Sequence, residues 1–201
     1  MDRILRQLDS PKKIQDYLDK LKVNFEKSGE TCMSPLRVVR EGKAHCMEGA
    51  LFAAAVLGSH GYEPMIMHLR THEDDTDQDH AVALFKDGKN NKYWGAISKT
   101  NHAVLRYRDP IYVSVRELAL SYFHEYFDKS GRKTLRYYSR PFSLKKFGKS
   151  WVTSEKDLWH IDDAFNNSKH FPILPKNFKA NNLRKASKLE IKAGDLVEYK
   201  S

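Results

Sequence analysis

The amino-acid sequence predicts a single α+β domain, and three patterns lead to this prediction. Apolar residues recur at helical spacing after Ser10-Pro11, a pair that is typical of a helix start. Residues 47–57 are apolar on almost every side, which indicates a helix that is buried all round. Two strand-like runs, 80–86 and 92–98, flank a turn-forming sequence and predict a β-hairpin. Helices and antiparallel strands in one chain of this length favour an α+β architecture.

The ends of the predicted helices follow from their terminating residues. The first helix is expected to run from residue 11 to about 25 and to stop near Gly29. The buried helix is expected to end at Gly58 or Gly61, because glycine readily adopts the left-handed conformation that closes a helix. A third helix is predicted over 113–131, where the chain meets another glycine.

The predicted hairpin has an expected register as well as a position. Its turn, with the sequence DGKNN at 87–91, contains the Asp-Gly and Asn-Asn pairs that favour chain reversal. Centring the hairpin on this turn places position 98 opposite position 80. A short apolar strand at 64–70 and an acidic loop at 71–79 are predicted to precede the hairpin.

The net charge is unevenly distributed along the chain. The protein carries a formal charge of +9, with 35 basic and 26 acidic side chains among 201 residues. Residues 1–100 hold 15 of each sign, so the whole excess lies in residues 101–201. A uniformly basic, nucleic-acid-binding coat is therefore excluded. We expect residues 1–130 to form the core and residues 131–201 to form a basic, aromatic-rich extension packed on the same domain.

Cysteine content and hydropathy predict the compartment. With two cysteines, Cys32 and Cys46, the chain has neither a disulfide framework nor a four-thiolate zinc site. The first residues are charged where a signal peptide would be apolar, and the longest weakly polar run, 50–58, is shorter than a membrane span. We therefore expect a cytoplasmic protein that does not contact a membrane.

Two chemistry-bearing residues are expected to meet at the start of the buried helix. Cys46 stands at that start, where unpaired N–H groups and the positive end of the helix dipole lower the pKa of a thiol. His80 begins the first hairpin strand and is a suitable general base if that strand crosses the helix start. A third polar group on the neighbouring strand would hold the imidazole in one tautomer.

A helix-borne cysteine followed 34 residues later by a strand histidine resembles the transglutaminase-like branch of the papain-like superfamily. The matching segments are SPLRVVREGKAHCMEGALFAAAVLGSHGYEP and DQDHAVALFKDGKNNKYWGAI, within residues 10–101. The resemblance implies a papain-like core over 1–130, with N-terminal helices packed on a small antiparallel sheet. It implies Cys46 as nucleophile and His80 as base of a protease, amidase or acyltransferase that works through a thioester. The substrate would be a peptide, a protein or a small amide, with no cofactor and no metal.

One position departs from the family pattern, in which the second hairpin strand supplies an aspartate after a tryptophan. Here the run is Trp94-Gly-Ala-Ile-Ser98, so that Ser98 stands in the place of the aspartate. By hairpin register Ser98 is the first candidate for orienting the base, Asn101 is the second and Asp109 is the third. A serine can accept a hydrogen bond from the imidazole, but it carries no charge to stabilise the imidazolium.

The oxyanion of an acyl-transfer intermediate would use the backbone N–H of Cys46 and one further donor. Gln7 and Gln15, in the first helical region, precede Cys46, and neither is spaced like such a donor. We expect Cys32 to be structural, and His45 to be a surface or loop residue.

Three alternatives compete with this interpretation. A cysteine in an apolar helix is often only a small buried side chain. His68 and His72 with the carboxylates that follow them could hold a divalent ion, but a strand-to-loop transition does not bring both to one side, which favours a solvated acidic loop. The protein could also be a non-catalytic binding module of the same fold, whose basic second half contacts an acidic partner or, as a less favoured choice, nucleic acid.

Overall fold

The computed structural model describes residues 2–72, 79–87 and 91–199. The helices are α1 (Asp2–Gln7), α2 (Pro11–Lys20), α3 (Pro35–Glu41), α4 (Cys46–Ser59), α5 (Val115–Leu120), α6 (Trp159–Asn166) and α7 (Lys188–Gly194). The strands are β1 (Lys22–Val23), β2 (Lys43–Ala44), β3 (Met65–Thr71), β4 (His80–Asp87), β5 (Tyr93–Ser98), β6 (Arg108–Tyr112), β7 (Leu135–Ser139), β8 (Phe142–Ser143) and β9 (His170–Pro172).

Most of these strands join one antiparallel sheet. In the described residues its order is β6-β5-β4-β3-β7-β9, and β8 also pairs with β3. The pair β1 and β2 forms a separate parallel ribbon, and β2 directly precedes α4 in the chain. Helices and an antiparallel sheet in one chain confirm the predicted α+β class.

The two faces of the sheet are covered by different elements. On one face Ala81, Ala83 and Phe85 of β4 belong to the same core as α4, which is buried along most of its length. On the other face Val82 and Leu84 join the cluster that contains the buried residues of α5. Because side chains alternate along a strand, β4 contributes to both layers. The sheet is therefore the central layer, and the cysteine-bearing helix is buried as predicted.

The first predicted helix ends earlier than its sequence pattern indicates. Ser10 caps α2 as expected, but the helix ends at Lys20, because Leu21 is extended and the chain enters β1. The buried ammonium of Lys99 donates hydrogen bonds to the carbonyl oxygens of Leu18 (3.0 Å) and Leu21 (2.6 Å). These bonds satisfy the carbonyl groups that a helix end leaves unpaired.

The helix predicted over 113–131 is also shorter, since α5 ends at Leu120. Tyr122 and Tyr126, which follow it, are almost completely buried, and the Arg108 guanidinium lies 4.0 Å from the centre of the Tyr122 ring. The burial of these rings in an irregular segment overrides the helical periodicity of the sequence.

The end of α4 agrees with the prediction. The helix ends at Ser59, and Gly61 follows with a φ of 85°. Gly58 lies inside the last turn, so the left-handed position belongs to Gly61.

The predicted hairpin is present, but its register differs by two residues from the predicted one. Ser98 pairs with Val82 and not with His80. Residues 88–90 of the predicted turn lie outside the described residues. A shift of two keeps every side chain on its own face, because the alternation along a strand has a period of two. Ser98 is therefore a diagonal neighbour of His80 on the same face.

The chain beyond residue 130 adds strands to the same sheet. β7 pairs with β3, β9 pairs with β7, and β8 pairs with the other end of β3. Strands β7, β8 and β9 of the predicted basic extension thus belong to the sheet that carries the hairpin. None of the helices in the described ranges is both long enough and apolar enough to cross a membrane.

Substitution of Gly49, in the first turn of α4, measures how closely this helix packs against Lys99. A methyl group on Gly49 would meet the Cβ of Lys99, whose ammonium is held by two carbonyl oxygens. Gly49→Ala is expected to lower the free energy of unfolding by about 1–3 kcal/mol, as at other overpacked core positions. Gly58→Ala, in the same helix, would meet only ordinary contacts with Pro64 and is expected to be neutral or slightly stabilising. Urea denaturation measures both, and equal stabilities of the two variants would contradict this packing.

Candidate active site

Cys46 is the first residue of α4, where the N–H groups of the first turn have no partner within the helix. His45 caps this helix, because its Nδ1 accepts the N–H of Met47 at 3.2 Å. Glu48 completes a capping box by accepting the N–H of His45 at 3.0 Å. The thiol is therefore held at the positive end of the helix dipole, where the sequence predicts it.

The fully buried carboxylate of Glu48 organises the chain around this helix start. Besides the N–H of the cap residue, it accepts hydrogen bonds from Met33 N–H (3.0 Å), Thr31 Oγ1 (2.8 Å) and Asn24 Nδ2 (3.1 Å). These donors all belong to the segment that precedes α3. A buried carboxylate with several donors is well satisfied, so it holds that segment firmly against the start of α4.

His80 is the first residue of β4, and the residue before it is tied to the neighbouring strand. Asp79 Oδ1 accepts hydrogen bonds from the N–H (2.8 Å) and the Oγ1 (3.0 Å) of Thr71. Its Oδ2 lies 3.0 Å from Nε2 of His68. Burial tends to raise the pKa of Asp79, but the hydrogen bonds from His68 and Thr71 hold it below its ordinary value. The carboxylate therefore anchors the chain where it enters β4.

The imidazole of His80 is oriented by Ser98, the first of the predicted candidates. His80 Nε2 and Ser98 Oγ are 2.7 Å apart, and both residues are buried. The side chain of Gln15 clamps the backbone of Ser98, since it accepts the N–H at 2.9 Å and donates to the carbonyl oxygen at 2.8 Å. Gln15 also donates to Asp19 at 2.8 Å. Its amide is thus committed to holding β5 and is not the further oxyanion donor.

The other two candidates for orienting the base are engaged elsewhere. Both ends of the Asn101 amide bind the backbone of Tyr199 at 2.9 Å. Asp109 lies on β6 with an exposed side chain. It lies near Tyr107, whose pKa is raised to about 12 by the burial of the tyrosine and then by the charge of Asp109. Neither candidate orients the base, because the chain after Ser98 first pairs with the backbone of Tyr199 and then forms β6 at the edge of the sheet.

The thiol of Cys46 lines one cleft with the rings of His45 and His80. Burial alone would raise the pKa of the thiol, but the influence of these two polar rings, and of their positive charge, holds it well below its ordinary value. Because Nε2 of His80 is taken by Ser98, Nδ1 is the nitrogen left for the thiol. The structure therefore brings the predicted nucleophile and base together in one cleft.

His45 lies in the loop between β2 and α4, as expected, and it also lines the site, which the sequence did not indicate. It is half-buried at the cap of α4. Burial lowers its pKa, but the hydrogen bond and the charge of the Cys46 thiolate outweigh this effect and raise the pKa to about 9. However, the Nδ1 that accepts the N–H of Met47 can bind a proton only if it gives up the helix cap. By contrast, the hydrogen bond to Ser98 engages Nε2 of His80 and leaves its Nδ1 for the thiol.

A cleft of about 750 Å³ opens over the thiol. Besides Cys46 and His80, its lining includes apolar, polar and charged side chains, namely Val23, Phe25, Glu26, Asn101, His102 and Lys129. The volume is in the range of ordinary small-molecule sites. The thiol of Cys46 is therefore in a cleft large enough for a small molecule.

Cys32 and His68 are parts of the structure around this site. Cys32 is buried, and burial raises the pKa of its thiol. His68 Nδ1 lies 3.1 Å from His170 Nε2, while its other ring nitrogen contacts Asp79. Residues 73–78 of the predicted acidic loop lie outside the described residues. The described residues contain no group of three or more His, Cys, Asp or Glu side chains that could hold a metal ion.

The lowered pKa of Cys46 predicts its alkylation behaviour. A free thiol has a pKa of about 8.5, so its reaction with iodoacetamide falls steeply below that pH. Cys46 is expected to keep reacting at lower pH, and His80→Ala should move its rate profile toward that of a free thiol. Peptide mapping separates Cys46 from Cys32, which should stay unmodified in the folded protein because it is buried. His60→Ala, at a histidine bound to the Leu5 carbonyl, is the control. A native profile equal to that of a free thiol would contradict the geometry.

Comparison with known proteins adds no family to this description. No protein-family model matches the chain, and no curated protein is similar enough to count as a relative. The resemblance to transglutaminase-like enzymes therefore stays a prediction from the order of the site residues in the sequence.

Proposed function

We propose that this protein is a transglutaminase-like cysteine hydrolase or acyltransferase that acts on an amide or ester carbonyl. The observation that carries the proposal is that Cys46, at the start of a buried helix, lines one cleft with His80, which helps to lower the pKa of the thiol. The base is in turn held by Ser98. A thiolate, an adjacent base and a group that orients the base are the parts that nucleophilic catalysis by cysteine needs.

In the proposed reaction, Nδ1 of His80 takes the thiol proton, and Sγ of Cys46 forms a bond to the substrate carbonyl carbon. The N–H of Cys46, in the first turn of α4, is a donor for the resulting oxyanion. As the carbonyl re-forms, the C–N or C–O bond breaks, and the imidazolium gives its proton to the leaving amine or alcohol. Water, or an amine in acyl transfer, then gives a proton to His80 and attacks the thioester, which releases the acyl product and returns the thiol.

The uncharged Ser98 affects how this site stabilises charge. Its hydroxyl orients the ring without adding a negative charge, so the imidazolium of His80 depends on the thiolate and the surrounding dipoles. Such a site needs the ring to be held accurately, because orientation replaces part of the missing electrostatic stabilisation. We therefore expect Ser98 to contribute less to the rate than the base itself.

Acyl transfer from p-nitrophenyl acetate tests the proposed function. The native protein is expected to release p-nitrophenol in a burst and to gain one acetyl group on Cys46, detected by mass spectrometry. Cys46→Ala should abolish the burst, His80→Ala should slow it by about a hundredfold or more, and Ser98→Ala should slow it by about tenfold. Cys32→Ser is the matched control. A native protein without a burst, or a burst that survives Cys46→Ala, would contradict the proposal.

A second candidate function, a non-catalytic module that binds an acidic partner, is favoured by one surface. Lys145, Lys146 and Lys149 are exposed, and no carboxylate in the described part of the chain forms an ion pair with them. The ammonium of Lys146 lies 4.0 Å from the centre of the Phe142 ring and 4.9 Å from that of the half-buried Phe147. Unpaired cations beside aromatic rings are common features of surfaces that bind single-stranded nucleic acids.

Fluorescence anisotropy with a labelled single-stranded oligonucleotide tests the second candidate. Changing all three of these lysines to glutamine is expected to weaken binding and to reduce the slope of log affinity against log salt by about 2. A matched triple change to glutamine at Lys12, Lys20 and Lys27, in the neutral half of the chain, should leave the slope unchanged. Equal effects of the two triple variants, or binding that does not depend on salt, would remove this candidate.

A further inference from the structure

We infer that Glu125 is a positioning residue for His80, which acts through the backbone of Leu105 and the hydroxyl of Ser98 to hold the ring proton on Nε2. These four residues are called the relay below. Its effect on reaction rate rests on the proposed function. Its effect on the ring proton does not, because that follows from hydrogen-bond geometry alone.

The two partners of the Ser98 hydroxyl determine where its proton lies. Ser98 Oγ is 2.6 Å from the carbonyl oxygen of Leu105 and 2.7 Å from Nε2 of His80. A carbonyl oxygen can only accept, so the single hydroxyl proton is donated to Leu105. The contact with His80 then requires Nε2 to be the donor. The neutral ring consequently carries its proton on Nε2 and presents an unprotonated Nδ1 to Cys46.

The carbonyl at the centre of the relay belongs to a residue in a rare backbone conformation. Leu105 has a φ of 62°, in the left-handed region that residues with a branched side chain seldom adopt. Its N–H donates to Glu125 Oε2 at 2.7 Å, and its carbonyl accepts the Ser98 hydroxyl. Because both polar groups of Leu105 are held, the strained conformation persists and the carbonyl keeps its direction.

Glu125 is itself held in place by Arg108. One carboxylate oxygen of Glu125 lies 2.7 Å from the Arg108 guanidinium, and the other binds Leu105. The guanidinium is fixed by the buried ring of Tyr122 at 4.0 Å and by Ser121 Oγ at 3.0 Å. The packing of the segment after α5 is thereby connected to the orientation of Leu105.

The relay gives a physical reason for serine at position 98. The side chain there is fully buried and lies against a carbonyl oxygen. A carboxylate in its place would lose its hydration and face that oxygen with no proton between them. A hydroxyl donates one hydrogen bond and accepts another, which matches Leu105 on one side and His80 on the other.

Nitrogen NMR of the full chain labelled in its histidine rings tests the relay. The Cys46→Ala protein is used, so that the charge of the thiolate does not contribute, at about pH 8.5, where an ordinary histidine is neutral. We expect His80 to carry its proton on Nε2 and this proton to exchange slowly with water. Glu125→Ala is expected to speed that exchange by about tenfold or more and to admit the other tautomer. Glu125→Gln can still accept the N–H of Leu105 and should restore most of the native signal.

Glu117→Ala is the matched control, because Glu117 also accepts a backbone N–H at 2.7 Å, from Val113. It should leave the His80 signal as in the parent protein. An unchanged signal in Glu125→Ala, or equal changes in Glu125→Ala and Glu117→Ala, would overturn the relay.

The kinetic consequence is measured separately on protein that retains Cys46. Glu125→Ala is expected to lower kcat/KM by about tenfold with little change in KM, and Glu125→Gln to recover most of it. A loss of rate without a change in the His80 ring proton would overturn the relay. A native ring proton on Nε2 in a protein that never forms an acyl-enzyme would support the relay and contradict only the proposed function.

Discussion

The start of α4, and with it the position of Cys46, depends on the hydrogen bonds of the buried Glu48 carboxylate. This carboxylate closes the capping box at the start of α4 and accepts hydrogen bonds from the chain that precedes the helix. A buried polar group left without a partner costs about 1–3 kcal/mol, so removing this one acceptor would leave several donors unpaired at once. Because Cys46 lies between the cap residue and Glu48, the same hydrogen bonds that stabilise the helix start also hold the nucleophile.

The base is held by a different set of contacts, which come from strands and from α2. Asp79 ties the chain just before His80 to β3, and Gln15 clamps the backbone of Ser98. The nucleophile and the base thus belong to separately stabilised elements that meet at one cleft. The side chain that binds the base, Ser98, is neutral. Of the basic residues in 101–201, Arg108 pairs with Glu125, and Lys129 lines the cleft.

Several features were predictable because they depend on local patterns. The periodicity of the apolar residues predicts the buried helix and the alternating strands. The point where the helical periodicity begins predicts the helix start that carries Cys46. The turn sequence predicts a hairpin register that differs by two residues from the observed one. Ser98 still contacts His80, because a shift of two residues keeps each side chain on the same face of the sheet. The sequence predicts the loop position of His45 but not its place in the site, because a capping box usually begins with serine or threonine, whereas here a histidine and Glu48 form it.

The sequence by itself determined the fold class, the buried helix with Cys46 at its start and the strand that begins with His80, because these follow from the spacing of residues close together in the chain. Only the tertiary structure decided which side chain orients the base and which groups hold it. Glu125 is 45 residues from His80 in the chain, and it bears on the ring through Leu105, whose left-handed backbone no local pattern predicts. Contacts of this kind arise from how distant segments pack, so their residue types alone do not reveal them.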